Sequence, residues 1–218
     1  MHQRQSEIMV LKPTIVFLSF LASQLPEYEL PSLKALQMDS TAYVIPKHQS
    51  DDATLDEIQK HFSTMFRHEI CRWLGKNARN EIESSFLDFL CCFKFELHSH
   101  IILMEPSIEE GHQLLKVKPR TLLLNWVKSE VEAEEDVGDV IERVSLSHLT
   151  DNSTVIVKNF PKLNDIKPFL KQYHKPIFET AMSRMANQRN QWPVVNSYHS
   201  FCKYFSIEIH TQLIYLHY

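Results

Sequence analysis

Phe93-Lys94-Phe95-Glu96-Leu97-His98-Ser99-His100-Ile101-Ile102-Leu103 decides the fold class. Phe93, Phe95, Leu97, Ser99, Ile101 and Leu103 alternate with Lys94, Glu96, His98, His100 and Ile102. A period of two matches a pleated strand, whose successive side chains point to opposite faces. The second set is mostly polar, so the strand is expected to keep one wet face. Glu105-Pro106 closes it.

On the N-terminal side the period changes. Leu55, Ile58, Phe62, Met65, Phe66, Ile70 and Trp73 recur at helical spacing, which predicts a helix over 55–74 with one apolar face. Thr54 and Glu57 have capping-box spacing, and Gly75 stands where a helix ends. A second helix is expected over 80–90. Further upstream, Thr14–Ala22 is apolar behind Arg4 and Lys12. It is too short to span a bilayer, which needs about 20 apolar residues. It resembles a signal-peptide core, but Glu7 fits such a leader poorly. The expected reading is a buried first helix with Pro13 in its first turn.

On the C-terminal side, Pro119 is expected to open a helix carrying Leu122, Leu123, Trp126 and Val127. Thr154–Val157 reads as a short strand. Helices are expected from Asn164 or Asp165 to about Tyr173 and over 177–191, interrupted at Lys175-Pro176. Phe205, Ile207 and Ile209 alternate with Ser206, Glu208 and His210, so the tail returns to a strand pattern. Helices and strands mix without a β-α rhythm. The expected class is α+β, with helices packed on a small, mainly antiparallel sheet and residues 1–218 in a single globular domain. No internal repeat or linker stands out.

Composition narrows the function. Three glycines occur in 218 residues: Gly75, Gly111 and Gly138. An average chain carries about 7% glycine. Dinucleotide fingerprints, P-loops and nucleophile elbows all need closely spaced glycines, and none are present. Cys71, Cys91, Cys92 and Cys202 do not form a disulfide framework, and reduced thiols suit the cytoplasm.

Charge is unevenly placed. Glu130, Glu132, Glu134, Glu135, Asp136, Asp139 and Glu142 lie in one run with no basic residue inside it. Setting those seven aside leaves 20 of the 27 acidic residues against 23 basic ones. Nucleic acid and anionic membrane are therefore not indicated as partners. The run reads as a solvated segment or as a dock for basic groups, with Glu132, Glu134, Glu135 and Asp136 the candidate contacts.

Candidate chemistry is thin. His98 and His100, two apart on a strand, could grip one ion, but zinc needs further ligands and none stand nearby in sequence. Cys91 or Cys92 could act as a nucleophile, although cysteines between apolar elements are usually inert. His61, Arg67, His68 and Arg72 are expected to form a solvated face of the long helix. No catalytic site, metal or cofactor is expected. The alternative is an enzyme or effector using His98, His100, Cys91 or Cys92.

Length and acidic balance complete a likeness carried by Phe95–Pro106 and by Arg120–Lys128 with its acidic continuation. The chain resembles the small acidic adaptors of Dot/Icm type IV secretion coupling complexes. That resemblance implies a non-enzymatic, chaperone-like subunit. Its partners would be the C-terminal tail of the coupling ATPase, small acidic secretion chaperones and effector proteins recruited for export. It would be cytoplasmic, held at the periphery of the inner membrane through the complex and not inserted in it.

Overall fold

The computed structural model describes residues 6–24, 30–75, 84–109, 111–132, 145–185 and 189–216, with 131 and 132 described by backbone alone. The class is α+β. The chain divides into two compact units. The first holds Met1–Ser99, Glu109–Gly111 and His210–Tyr218, and the second holds His100–Ile108 and His112–Ile209.

Unit 1 begins with β1 (Ser6–Pro13), then α1 (Ile15–Gln24), α2 (Leu33–Met38), β2 (Thr41–Pro46), α3 (Asp51–Leu74), α4 (Phe86–Cys92) and β3 (Phe93–His98). Its fourth strand is β8 (Leu213–Tyr215), and the sheet order is β3-β1-β2-β8. β1 runs antiparallel to β2 and β3, while β8 runs parallel to β2. Ile8, Met9, Val10 and Leu11 are all fully buried, as a central strand covered on both faces requires. That unbroken run hides the strand period, and β1 was not expected from the sequence. Pro13 ends this strand rather than opening α1, at a terminal position where its missing N–H costs little.

α1 turns Phe17 and Leu21 into the core of unit 1. α3 begins one turn before the expected Thr54: Ser50 Oγ accepts the Ala53 N–H at 3.2 Å, and Asp51 and Asp52 sit favourably in the first turn. Thr54 is buried inside the helix. Gly75, at φ 81°, ends it with an N–H bond to the Cys71 carbonyl of 3.0 Å. Of the helix expected over 80–90, residues 80–83 fall outside the described residues. The described helix starts behind a Ser85 capping box and runs on to Cys92.

Unit 2 contains β4 (Ile101–Leu103), β5 (Gln113–Pro119), α5 (Thr121–Glu132), α6 (Leu146–Thr150), β6 (Val155–Lys158), α7 (Ile166–Ser183), α8 (Tyr198–Tyr204) and β7 (Phe205–His210). The sheet order is β4-β6-β5-β7, with β4 parallel and β5 antiparallel to β6. Among the described residues there are thus two four-stranded sheets, each combining a parallel pair with antiparallel pairing, where a single small sheet was expected. Pro119 ends β5, and α5 starts when the Arg120 carbonyl accepts the N–H groups of Leu123 and Leu124. Pro176 does not break α7 as expected. It sits on the exposed side, where water can take the carbonyl freed by its missing N–H. Inward, α7 buries Ile166, Phe169, Leu170, Ile177, Phe178, Ala181 and Met182.

The elements repeat, against the expectation of no internal repeat. Among the described α-helices and strands, β1-α1-α2-β2-α3-α4-β3 and β5-α5-α6-β6-α7-α8-β7 have the same order. Each is followed along the chain by a short strand that pairs in parallel, β4 with β6 in unit 2 and β8 with β2 in unit 1. Equivalent bonds recur: Thr14 N–H to the Cys92 carbonyl and Arg120 N–H to the Tyr204 carbonyl, both 2.8 Å. Likewise Ala42 N–H meets the Gln212 carbonyl at 2.9 Å and Val155 N–H meets the His100 carbonyl at 3.0 Å. Ser85, Phe93, Glu96 and His98 correspond to Ser197, Phe205, Glu208 and His210. Such sparse identities escape a search for periodic composition, because many apolar residues satisfy the same strand or helix position.

Candidate functional site

The two candidate histidines lie in different units. His98 closes β3 in unit 1 and is fully buried, whereas simple alternation had put it on the wet face. His100 lies in unit 2, half-buried, with Nδ1 3.2 Å from Thr154 Oγ1. Burial, then the nearby Arg184 charge, lowers its pKa below the usual imidazole range. The strand pattern breaks between them at Ser99, so His98 and His100 do not share one face of one strand. Among the described residues, no group of three His, Cys, Asp or Glu side chains is placed to hold a metal ion.

The two adjacent cysteines differ. Cys91 is exposed and Cys92 is buried at the end of α4. Burial, with smaller contributions from Cys91 and Asp88, pushes the Cys92 thiol up to about 11. At neutral pH it therefore stays protonated and is a poor nucleophile. Brief iodoacetamide treatment of the native protein should label Cys91 and leave Cys92 unmodified until denaturant is added. Peptide mass spectrometry reads both sites, and equal labelling would contradict the packing of α4.

The face of α3 expected to be solvated is so at Arg67, but His61 and Arg72 are largely covered and ion-paired. Arg72 is only 12% exposed, and its guanidinium lies 2.9 Å from Asp39 Oδ2 and 3.1 Å from Thr41 Oγ1. The buried Glu69 accepts a 3.3 Å bond from the Tyr43 hydroxyl, with His68 Nδ1 3.8 Å away. Burial and the Glu69 charge raise the Tyr43 pKa well above the phenol range. Glu57, also buried, has His61 at 3.3 Å, Lys60 at 3.5 Å and His48 at 3.7 Å. The contacts from Asp39, Thr41, Tyr43 and His48 tie α3 to its surroundings, and sequence spacing gave no sign of them, whereas Lys60, His61 and His68 pair within the helix.

In unit 2, Glu105 lies 2.5 Å from His112 Nε2 and 3.2 Å from Lys158 Nζ. The His112 bond, with help from Lys158 and the Asn159 N–H, holds the Glu105 pKa below the usual carboxylate range. A depressed folded-state pKa adds stability above the unfolded carboxylate value, and that stability is lost as pH falls through the folded one. Glu105→Gln should therefore flatten the acid limb of unit 2 stability below pH about 4.5. Urea midpoints from neutral to acid pH, read from Trp192 emission in a Trp73→Phe/Trp126→Phe background, check this. An acid limb as steep as in the unaltered protein would contradict it.

Of the acidic candidates, Glu132 is the last residue of α5, and Glu134, Glu135 and Asp136 fall outside the described residues.

One concavity of unit 2 had no counterpart in the sequence reading. A groove of about 350 Å³ is floored by Ile166, Leu170, Phe205, Ile207 and Ile209 and edged by Leu163, Tyr198 and Cys202. Leu163 is 55% exposed. Among the described residues, Arg120 and Lys167 are its charged lining residues, both exposed, and no acidic side chain lines it. Burial and a hydrogen bond with Cys202 push Tyr198 up to about 12, so its phenol is neutral at physiological pH. The contributing residues are spread from 120 to 209, which is why no local motif marks the groove.

No family model matches the chain, and no curated protein or solved structure shows significant similarity to it. Among the described residues, no helix is long and apolar enough to cross a membrane.

Proposed function

We propose that the protein is a non-enzymatic adaptor that binds segments of other proteins. The observation that carries this reading is the groove of unit 2. It is apolar along its floor, cationic at Arg120 and Lys167, and open enough to leave Leu163 half in solvent. Open apolar grooves with a few polar anchors suit peptide segments, which gain from apolar contact and from a limited number of directed bonds. The break in the strand after His98, which leaves His100 outside it, and the protonated Cys92 favour this reading over a shared His/Cys site.

Within that class, the resemblance to secretion adaptors names the setting: the C-terminal tail of a type IV coupling ATPase, its small acidic chaperones and effector proteins for export. The acidic run would then meet basic partner groups through Glu132, Glu134, Glu135 and Asp136. The test is co-elution of the purified protein with a reconstituted complex of ATPase tail and chaperones, at low and at high salt. A stable complex at low salt is expected. Reversing the four acids to lysine should weaken it and reduce its salt dependence. Failure to co-elute at low salt would overturn the secretion setting.

A further inference from the structure

The groove of unit 2 has a chemistry of its own, distinct from that of the acidic run. Among the described residues, its lining pairs apolar side chains with two cations and contains no anion. The nearest acid on the same strand, Glu208, does not line it and is 3.6 Å from Lys118 Nζ. Among the described lining residues, none carries a negative charge to neutralise Arg120 and Lys167. The repeat shows that the fold does not demand a cation at position 120. Its counterpart in unit 1 is Thr14, whose backbone N–H makes the same bond to the end of the helix that leads into the neighbouring strand and whose hydroxyl donates to the Cys91 carbonyl at 2.6 Å. Lys167 is likewise on the exposed side of α7, where helix packing makes no use of its charge.

We infer that this groove binds acidic peptide segments, seating one or two aliphatic side chains on Ile166, Leu170, Ile207 and Ile209 while flanking carboxylates meet Arg120 and Lys167. The inference rests on the adaptor reading and specifies which partner segments it takes. Two cations flanking an apolar floor favour a ligand with more than one negative charge around an apolar centre. A fatty acid offers a single carboxylate, and an open groove would leave much of its chain in water, whereas well-fitted small ligands are mostly enclosed. Guanidinium–carboxylate pairing at Arg120 adds direction to the contact.

The probe is a display library of random octapeptides, selected in parallel on the full-length protein and on the Arg120→Glu/Lys167→Glu variant. Both side chains are exposed, so the variant should keep the parent's circular dichroism and melting profile. Peptides with Leu, Ile, Val or Met flanked by Asp or Glu are expected to be enriched on the parent. Their enrichment should fall at least about tenfold on the variant and fall with added salt. Equal enrichment on both proteins, enrichment of basic peptides, or no enrichment would overturn the inference. So would oleate binding with no peptide selected, which would assign the groove to lipid. The co-elution experiment keeps the two claims apart. Unchanged assembly of the groove variant with the secretion complex, without peptide selection, would sink the groove and leave the adaptor standing. Selection of acidic peptides without assembly would do the reverse for the secretion setting.

Discussion

Phe93→Ala should destabilise unit 1 by about 3–5 kcal/mol, the range found when a buried aromatic side chain is truncated. Phe93 is 1% exposed and opens β3 directly from the end of α4. Its ring centroid lies 4.6 Å from Phe17 of α1, 5.3 Å from Phe89 of α4 and 5.9 Å from Phe66 of α3. One ring therefore joins three helices to the sheet, and no single neighbour can move to fill its space without leaving another contact. A loss of this size is a large part of the roughly 5–15 kcal/mol that stabilises a typical domain. Trp73 is the tryptophan of unit 1, so a Trp126→Phe/Trp192→Phe background isolates its signal. Urea unfolding followed by Trp73 emission should show the full shift for Phe93→Ala and a much smaller one for Phe93→Leu. A loss under about 1 kcal/mol would mean that the aromatic cluster is not packed as described.

Asp39→Ala should loosen the attachment of β8. Asp39 Oδ1 accepts the Thr211 N–H at 2.7 Å, and Oδ2 accepts the Thr211 hydroxyl at 2.8 Å and the Arg72 guanidinium at 2.9 Å. One carboxylate thus anchors the turn before β8 and satisfies a largely buried cation. Its removal leaves Arg72 with Thr41 and leaves the Thr211 amide without this acceptor. The expected cost is about 1–3 kcal/mol. It should fall toward the lower end because the Asp39 side chain is 39% exposed and water can reach its place. Hydrogen exchange gives the sharper readout. The β8 amides, and the Ala42 amide bonded to the Gln212 carbonyl, should exchange faster in Asp39→Ala. Asp39→Asn keeps one acceptor oxygen and should fall between. Unchanged protection of β8 would show that the strand is held by its β2 ladder alone.

Much of the architecture could be read locally. The α3 pattern, the Gly75 stop, the β3 alternation and the Thr154–Val157 strand all follow from spacing, since each half-buried element must repeat its apolar residues at its own period. Three kinds of feature could not be read that way. β1 is buried on both faces, so it shows a run without a period. Pro13, Pro119 and Pro176 were each read by their commonest helix role, and tertiary context gave each another. His98 was assigned to solvent because strand alternation specifies a face but not what covers that face. Arg72 and Glu69, expected or unremarked on a helix surface, are buried by partners far along the chain.

The candidate site shows the same division. Composition alone excluded the glycine-loop chemistries, because their backbone geometry depends on residues that are absent. The acidic run was plain in the sequence, since charge density is a local property. The groove was not, because Arg120, Lys167, Tyr198 and Ile207 become neighbours only when the helices of unit 2 lie on its sheet. The sequence by itself determined the mix of helices and strands, their apolar faces and the placement of charge, all of which arise from interactions within a few residues. Only the tertiary structure decided the pairing of β4 and β8 with strands far away in sequence, the repeat of one unit by another, and the side chains that line the groove. Those depend on which long-range contacts close, and local spacing carries no record of them.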